Sequence, residues 1–258
     1  MRTLTFGFSP CPNDTFAFHA LVHGLVDAPF GVEPVLLDIE ELNRRAHTGE
    51  LDLTKLSVGA FAGVGERYRL LRSGAALGRG VGPLVVAREE RPVDGARVAI
   101  PGYETTAFLL FRLAYPGHGE IVELRYDRIL DAVAGGEADA GLIIHESRFT
   151  YADHGLTRIA DLGEWWEGET GLPVPLAGIC ARAGLEEADA AEAAIQASVE
   201  YAFAHPEASR EYVRAHSQEL SDEVCDRHIA LYVNEFSVDL ADEGLAAIER
   251  LVGLPPAR

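Results

Sequence analysis

The chain has 258 residues, 48% hydrophobic and 24% charged, which suits a globular protein with one large or two modest domains. Its 22 basic and 41 acidic residues leave a net charge of −19, an argument against nucleic acid or an anionic membrane surface as the main partner. No apolar run approaches the ~18 residues of a membrane span.

The first residues, Met1 to Phe8, alternate as a strand does and lack a signal-peptide apolar region, so a cytoplasmic protein is expected. Leu4 to Phe18 reads as a strand, a proline-containing turn and a Phe-rich helix, with Asp14-Thr15 as the helix start. In Gly49 to Ser57 a helix ends near Gly and an Asp precedes a short buried strand. Lys55 and Ser57 are two residues apart, so they share one strand face at its carboxyl end. The Lys there suits an anionic ligand, or is an exposed loop residue. Gly74 to Gly82 is Gly-rich without nucleotide-loop spacing and reads as a turn-rich connection.

Gly82 to Arg88 is an apolar β-branched run, and Pro175 to Arg182 is a second. Between them the first pattern is echoed. Ala96 to Leu110 repeats strand, proline turn, Thr and Phe-rich helix, and Gly136 to Ile144 repeats helix end, Asp and buried strand. The echoes predict two similar α/β lobes, with the two apolar runs as crossovers beside a cleft. The expected boundaries are residues 1–88 and 176–258 for the first lobe with the C-terminal helices, and 89–175 for the second. Helices are expected over Leu185 to Ala204, Pro206 to His216, Asp222 to Val233 and Asp239 to Val252, with the acidic surplus on their solvated faces.

Several residues stand where chemistry is usual. His145 follows the buried run Ala138 to Ile144, and ligands of open α/β sheets bind at the carboxyl ends of strands. It reads as a base, or as a histidine bonded to a nearby carbonyl. Thr105 and Thr106 open a helix whose N–H groups and positive end suit a carboxylate; capping is the competing reading. If the lobes face each other, Ser57 and His145 meet across the cleft. Cys11, between Pro10 and Pro12, is a nucleophile or an inert turn thiol. Trp165-Trp166 is a packing or cleft-wall element. The three widely spaced cysteines suggest no disulfide framework, and without CxxC or HExxH spacing no metal site is expected. Neither GxSxG, GxGxxG after a strand, nor a P-loop occurs.

The blocks Ser9 to Phe16, Thr54 to Ser57, Ser73 to Gly80, Thr105-Thr106 and Gly141 to Tyr151 together resemble the 1,4-dihydroxy-6-naphthoate synthase family of menaquinone biosynthesis. The resemblance runs from Phe6 to about Pro175. It implies an α/β periplasmic-binding-protein-like (type II) fold: two lobes, a central cleft and two crossover strands. It implies conversion of cyclic dehypoxanthine futalosine to 1,4-dihydroxy-6-naphthoate with release of a three-carbon fragment and no cofactor. The base carries over onto His145, and substrate binding onto Lys55, Leu56, Ser57, Thr105 and Thr106. We expect Glu146 or a backbone carbonyl to fix the His145 tautomer. A small carboxylate-bearing substrate is the expected partner; a homodimer is one expectation for the assembly. Two alternatives stay open, a cytosolic small-carboxylate binding protein and the chorismate dehydratase of the same pathway.

Overall fold

The computed structural model describes residues 1–217 and 221–253. The strands in chain order are β1 (Thr3–Phe8), β2 (Gly31–Leu36), β3 (Leu53–Ser57), β4 (Tyr68–Leu70), β5 (Ala76–Gly78), β6 (Leu84–Ala87), β7 (Val98–Ile100), β8 (Ile121–Glu123), β9 (Ala140–Ile143), β10 (Thr157–Asp161) and β11 (Val174–Arg182). They form two sheets. The first has the order β2-β1-β3-β11-β4, with β5 also paired to β11; the second has the order β10-β6-β9-β7-β8.

The strands that carry the site are central in each sheet. β3 lies between parallel β1 and antiparallel β11 and is buried along its whole length. β9 lies between antiparallel β6 and parallel β7 and is buried likewise. Such strands favour apolar or small residues on both faces, as in β9 (Ala140-Gly141-Leu142-Ile143); β3 (Leu53-Thr54-Lys55-Leu56-Ser57) buries polar side chains as well, and these need partners. β3 runs directly into the next helix, while β9 is followed by a turn at His145-Glu146.

The helices are α1 (Pro12–Val22), α2 (Ile39–Ala46), α3 (Val58–Val64), α4 (Thr106–Ala114), α5 (Ile129–Ala134), α6 (Ser147–Thr150), α7 (Leu162–Thr170), α8 (Ala188–Ala204), α9 (Arg210–His216), α10 (Asp222–Tyr232), α11 (Glu235–Val238) and α12 (Ala241–Val252). α1 is buried on nearly every side, between the first sheet and the C-terminal helices. Phe18 packs on Phe6 and Phe8 with ring centroids 5.0 and 5.3 Å apart. Ser198 of α8 donates to the Ala17 carbonyl at 2.7 Å and accepts from Leu21 N–H at 3.1 Å. The predicted tail helices form, with Pro206 to Ser209 as a 3₁₀ turn and α12 starting at Ala241. Among the described residues no helix is long and apolar enough to cross a membrane.

Two expectations shift. α1 starts at Pro12 with Cys11 as its N-cap, so Asp14 and Thr15 lie inside its first turn. The proline fits there because the first helical residue needs no N–H partner. The run Gly82 to Arg88 contains β6, which pairs with β9 and β10. The second sheet therefore begins at Leu84, ahead of residue 89, because the chain completes this strand before it turns into the lobe.

Gly82 stands where the chain enters β6. A Cβ on it would overlap the backbone of Gly163 in the first turn of α7, while Leu162 N–H donates to the Pro83 carbonyl at 2.9 Å. Two backbones this close leave no flexible atom to yield. Gly82→Ala should cost about 1–3 kcal/mol, the range of overpacked cores. Thermal unfolding should show a Tm loss of roughly 2–4 °C per kcal/mol; an unchanged Tm would refute the close approach.

Candidate active site

The ends of β3 and β9 and the first turns of α1 and α4 meet in one cavity. Ser9, Asn13, Lys55, Ser57, Thr105, Thr106, His145 and His228 line it, with Ile39, Val81, Ile144, Leu176 and Tyr232 among its apolar walls. A mostly apolar wall with a few convergent polar groups is the usual form of a small-molecule site.

His145 follows β9 after one residue and has a positive φ of 56°. Non-glycine residues rarely adopt this conformation, so the fold holds the ring against local preference. Tyr126 meets it edge-on at 4.9 Å. Its Nε2 is buried and has no hydrogen-bond partner among the described residues. Burial, with the Lys55 charge adding to it, lowers the His145 pKa from 6.5 to about 4. At neutral pH the ring is uncharged and one nitrogen has a lone pair. The backbone conformation sets where the ring projects, and Tyr126 packs against it.

Lys55 is 3% exposed, so the exposed-loop reading falls. Its ammonium pairs with the Asp14 carboxylate, itself buried in the first turn of α1. Asp14 also accepts from Ser9 N–H at 3.0 Å, from the Ser9 hydroxyl at 2.6 Å and from Asn13 Nδ2 at 2.8 Å. This shell of donors is what a buried carboxylate requires. Lys55 therefore brings a compensated charge to the cavity wall. Ser57, on the same face, accepts from Asn43 Nδ2 at 3.0 Å, and its N–H donates to Asn43 Oδ1 at 2.9 Å. The hydroxyl is held in place while its hydrogen stays free to turn to a ligand.

The Leu56 side chain lies outside the cavity lining. Side chains alternate along a strand, so Leu56 points away from the cavity. It packs with Ala46, Val64, Tyr68 and Cys180. Thr105 is the N-cap of α4: its hydroxyl donates to the Gly102 carbonyl at 2.8 Å and accepts from Phe108 N–H at 3.2 Å. The Thr106 hydroxyl donates to the Leu176 carbonyl at 2.6 Å and accepts from Gly59 N–H at 3.0 Å. It ties the second lobe to α3 and to the return strand β11. Both hydroxyls are thus committed to protein partners. What the α4 start offers the cavity is its first N–H groups, on Thr106 and Ala107, which have no acceptor within the helix.

Other expectations resolve simply. Burial and the nearby Glu146 charge push the Cys11 thiol well above its ordinary range, which removes the nucleophile reading. Trp166 is buried in the core and donates to the Pro173 carbonyl at 3.0 Å. Arg148 pairs with Asp161 at 2.6 Å, away from the cavity lining.

Sequence reasoning missed Asn13, Asn43 and His228. His228 arrives from α10, more than 80 residues after His145. The one signal was spacing: Cys225, His228 and Tyr232 fall on one stripe of α10, and these are its buried residues. A histidine in the core-facing stripe of a helix marks such a position.

The chain matches the family model described as menaquinone biosynthesis over residues 4–255. A Thermus thermophilus protein named 1,4-dihydroxy-6-naphthoate synthase is 57% identical, covering 100% of this chain and 96% of that protein. A Streptomyces coelicolor protein of the same name is 47% identical, covering 99% and 95%. A crystal structure of an Archaeoglobus fulgidus protein superposes with a TM-score of 0.93 at 39% identity, covering 97% of this chain and 96% of that one. The periplasmic aliphatic sulphonate binding protein of Escherichia coli shares the two-lobed fold, with a TM-score of 0.67 at 14% identity and coverage of 98% and 86%. Likeness along the whole length, first strand to last helix, makes this chain a member of the menaquinone biosynthesis family.

Proposed function

We propose that this cleft is the active site of a 1,4-dihydroxy-6-naphthoate synthase, a lyase that converts cyclic dehypoxanthine futalosine to 1,4-dihydroxy-6-naphthoate and releases dihydroxyacetone. The observation that carries the reading is the His145 ring: buried at Nε2, uncharged at neutral pH and without a protein partner for that nitrogen. An imidazole held so is ready to take a proton from a bound molecule. The conversion is redox-neutral as written, so the proposal includes no added cofactor. The buried thiols of Cys11 and Cys180 suit a reducing compartment, and we place the reaction in the cytoplasm.

The remaining groups take matching roles. The substrate carboxylate sits at the start of α4, where the N–H groups of Thr106 and Ala107 and the positive helix end attract an anion. The Ser57 hydroxyl reaches an oxygen of the substrate. Lys55, neutralised by Asp14, contributes a fixed dipole on the wall. Ile39, Ile144 and Leu176 cover the ring faces and keep water from the reacting carbons. The segment from Leu84 to the end of α7 acts as one jaw, and the chain before it, with β11 and the C-terminal helices, acts as the other. His145 and the α4 start belong to one jaw, Lys55 and Ser57 to the other.

Purified protein incubated anaerobically with cyclic dehypoxanthine futalosine, without added cofactor, should yield 1,4-dihydroxy-6-naphthoate on chromatography. Saturable binding without product would leave a binding protein in its place, and turnover of chorismate instead would make it the dehydratase. His145→Ala should keep the fold and lose roughly 10²–10⁴-fold in turnover, the usual weight of a general base. Near-normal turnover would remove His145 from the role. The pH profile has a defined sign. The base is active unprotonated and its pKa is lowered to about 4, so kcat/KM should hold as pH falls through 6.5 and halve only near 4. An acid limb centred at 6.5 would belong to a solvated histidine and would contradict the buried geometry.

A further inference from the structure

His228, with its neighbours Asn13 and Asp14, forms a second arrangement in the same cavity. His228 is 0% exposed and lines the cavity from α10. Its ring lies nearly parallel to His145, with centroids 6.3 Å apart and 20° between planes. The His228 Nε2 to Asn13 Oδ1 distance is 2.9 Å, and its Nδ1 is buried with no hydrogen-bond partner among the described residues.

The direction of each bond in this chain follows from chemistry alone. Asp14, paired with the Lys55 ammonium, is a carboxylate and only accepts. The Asn13 group 2.8 Å from it must therefore be the NH₂. That orients the amide and leaves Oδ1 towards His228. An amide oxygen only accepts, so His228 Nε2 must carry the hydrogen. The neutral ring then has its lone pair on Nδ1. Burial, with His145 and Lys55 adding to it, lowers the His228 pKa well below 6.5 and keeps the ring neutral.

A buried acceptor with no donor is costly to leave unpaired. In a cavity that binds a small molecule it is a demand for a donor on the ligand. The ligand's carboxylate cannot answer it, because a carboxylate also only accepts. A hydroxyl can.

We propose that His228 Nδ1 is a specificity-determining contact that accepts a hydrogen bond from a hydroxyl of the substrate, with Asn13 and Asp14 as positioning residues that fix its tautomer. The inference rests on the function proposed above and adds a contact to it. In that assignment His145 and His228 divide the labour. His145, unclamped, is free to take up and return a proton. His228, clamped at Nε2, accepts a hydrogen bond and keeps its own proton.

Two substitutions separate the role from a merely structural one. In His228→Gln the amide NH₂ reaches the Nε2 position, so the bond to Asn13 survives while the acceptor at Nδ1 is lost. In His228→Asn the amide oxygen takes the Nδ1 position, so the acceptor survives while the bond to Asn13 is lost. With cyclic dehypoxanthine futalosine as the probe, kcat/KM of His228→Gln should fall by about 10–100-fold, the cost of one unpaired buried group. His228→Asn should be the less damaged of the two by at least about tenfold, although thermal unfolding should rank it the less stable. His228→Gln at the wild-type level, or both variants impaired alike, would overturn the assignment. Wild-type protein that forms no product would remove the proposed function and this inference together. Wild-type turnover with an unimpaired His228→Gln would remove the inference alone.

Discussion

The buried pair of Lys55 and Asp14 is the constraint around which the cavity is organised. Lys55, in a central strand, is 3% exposed, and an unpaired charge buried to that extent would be strongly destabilising. The carboxylate that answers it comes from the first turn of α1, and that turn must therefore sit tightly over β3. Ser9 and Asn13 complete the shell around Asp14. One electrostatic requirement so fixes the position of β1, the turn after it, the start of α1 and, through Asn13, the ring of His228. The same positive charge helps keep both histidines neutral.

The second lobe is bound to the first by polar contacts of a different kind. Thr106 joins α4 to Gly59 and Leu176. Glu40 of α2 accepts from Glu104 N–H at 3.2 Å across the lobes. The Cβ that Gly59 lacks would stand 3.1 Å from the Thr105 carbonyl, so the lobes approach backbone to backbone there. His47 and Glu104 meet at 2.8 Å nearer the surface. These contacts bring the start of α4 to the end of β3 and close the cavity between them. The aliphatic sulphonate binding protein shares this two-lobed fold, so fold alone does not separate a receptor from an enzyme. The full-length relatives named as synthases make the difference here.

Much of this was legible in the chain. Paired echoes of strand, turn, Thr and helix gave the two lobes, because a central strand and the helix that follows it have local signatures of period and capping. His145 was legible because it interrupts an apolar run at a strand end. Alternation along β3 put Lys55 and Ser57 on one face, and the same rule sends Leu56 into the core. The carry-over of a contiguous segment hid that distinction. Thr105 and Thr106 were rightly placed at a helix start, but their hydroxyls answer protein groups, and only the coordinates show which.

The sequence by itself determined the elements, the lobe pattern and the residue at each strand end, because these depend on neighbours within a turn or two of the chain. Tertiary structure alone decided the charge state and bonding of those residues. The partner of Lys55 is 41 residues away in sequence and that of Asn13 is 215, and no local pattern encodes such distances. Burial, which sets whether a histidine is a neutral acceptor or a cation, is a property of everything packed around it. Spacing puts His228 on the buried stripe of α10, but its partner and its place on the cavity wall come only when α10 packs over the first lobe.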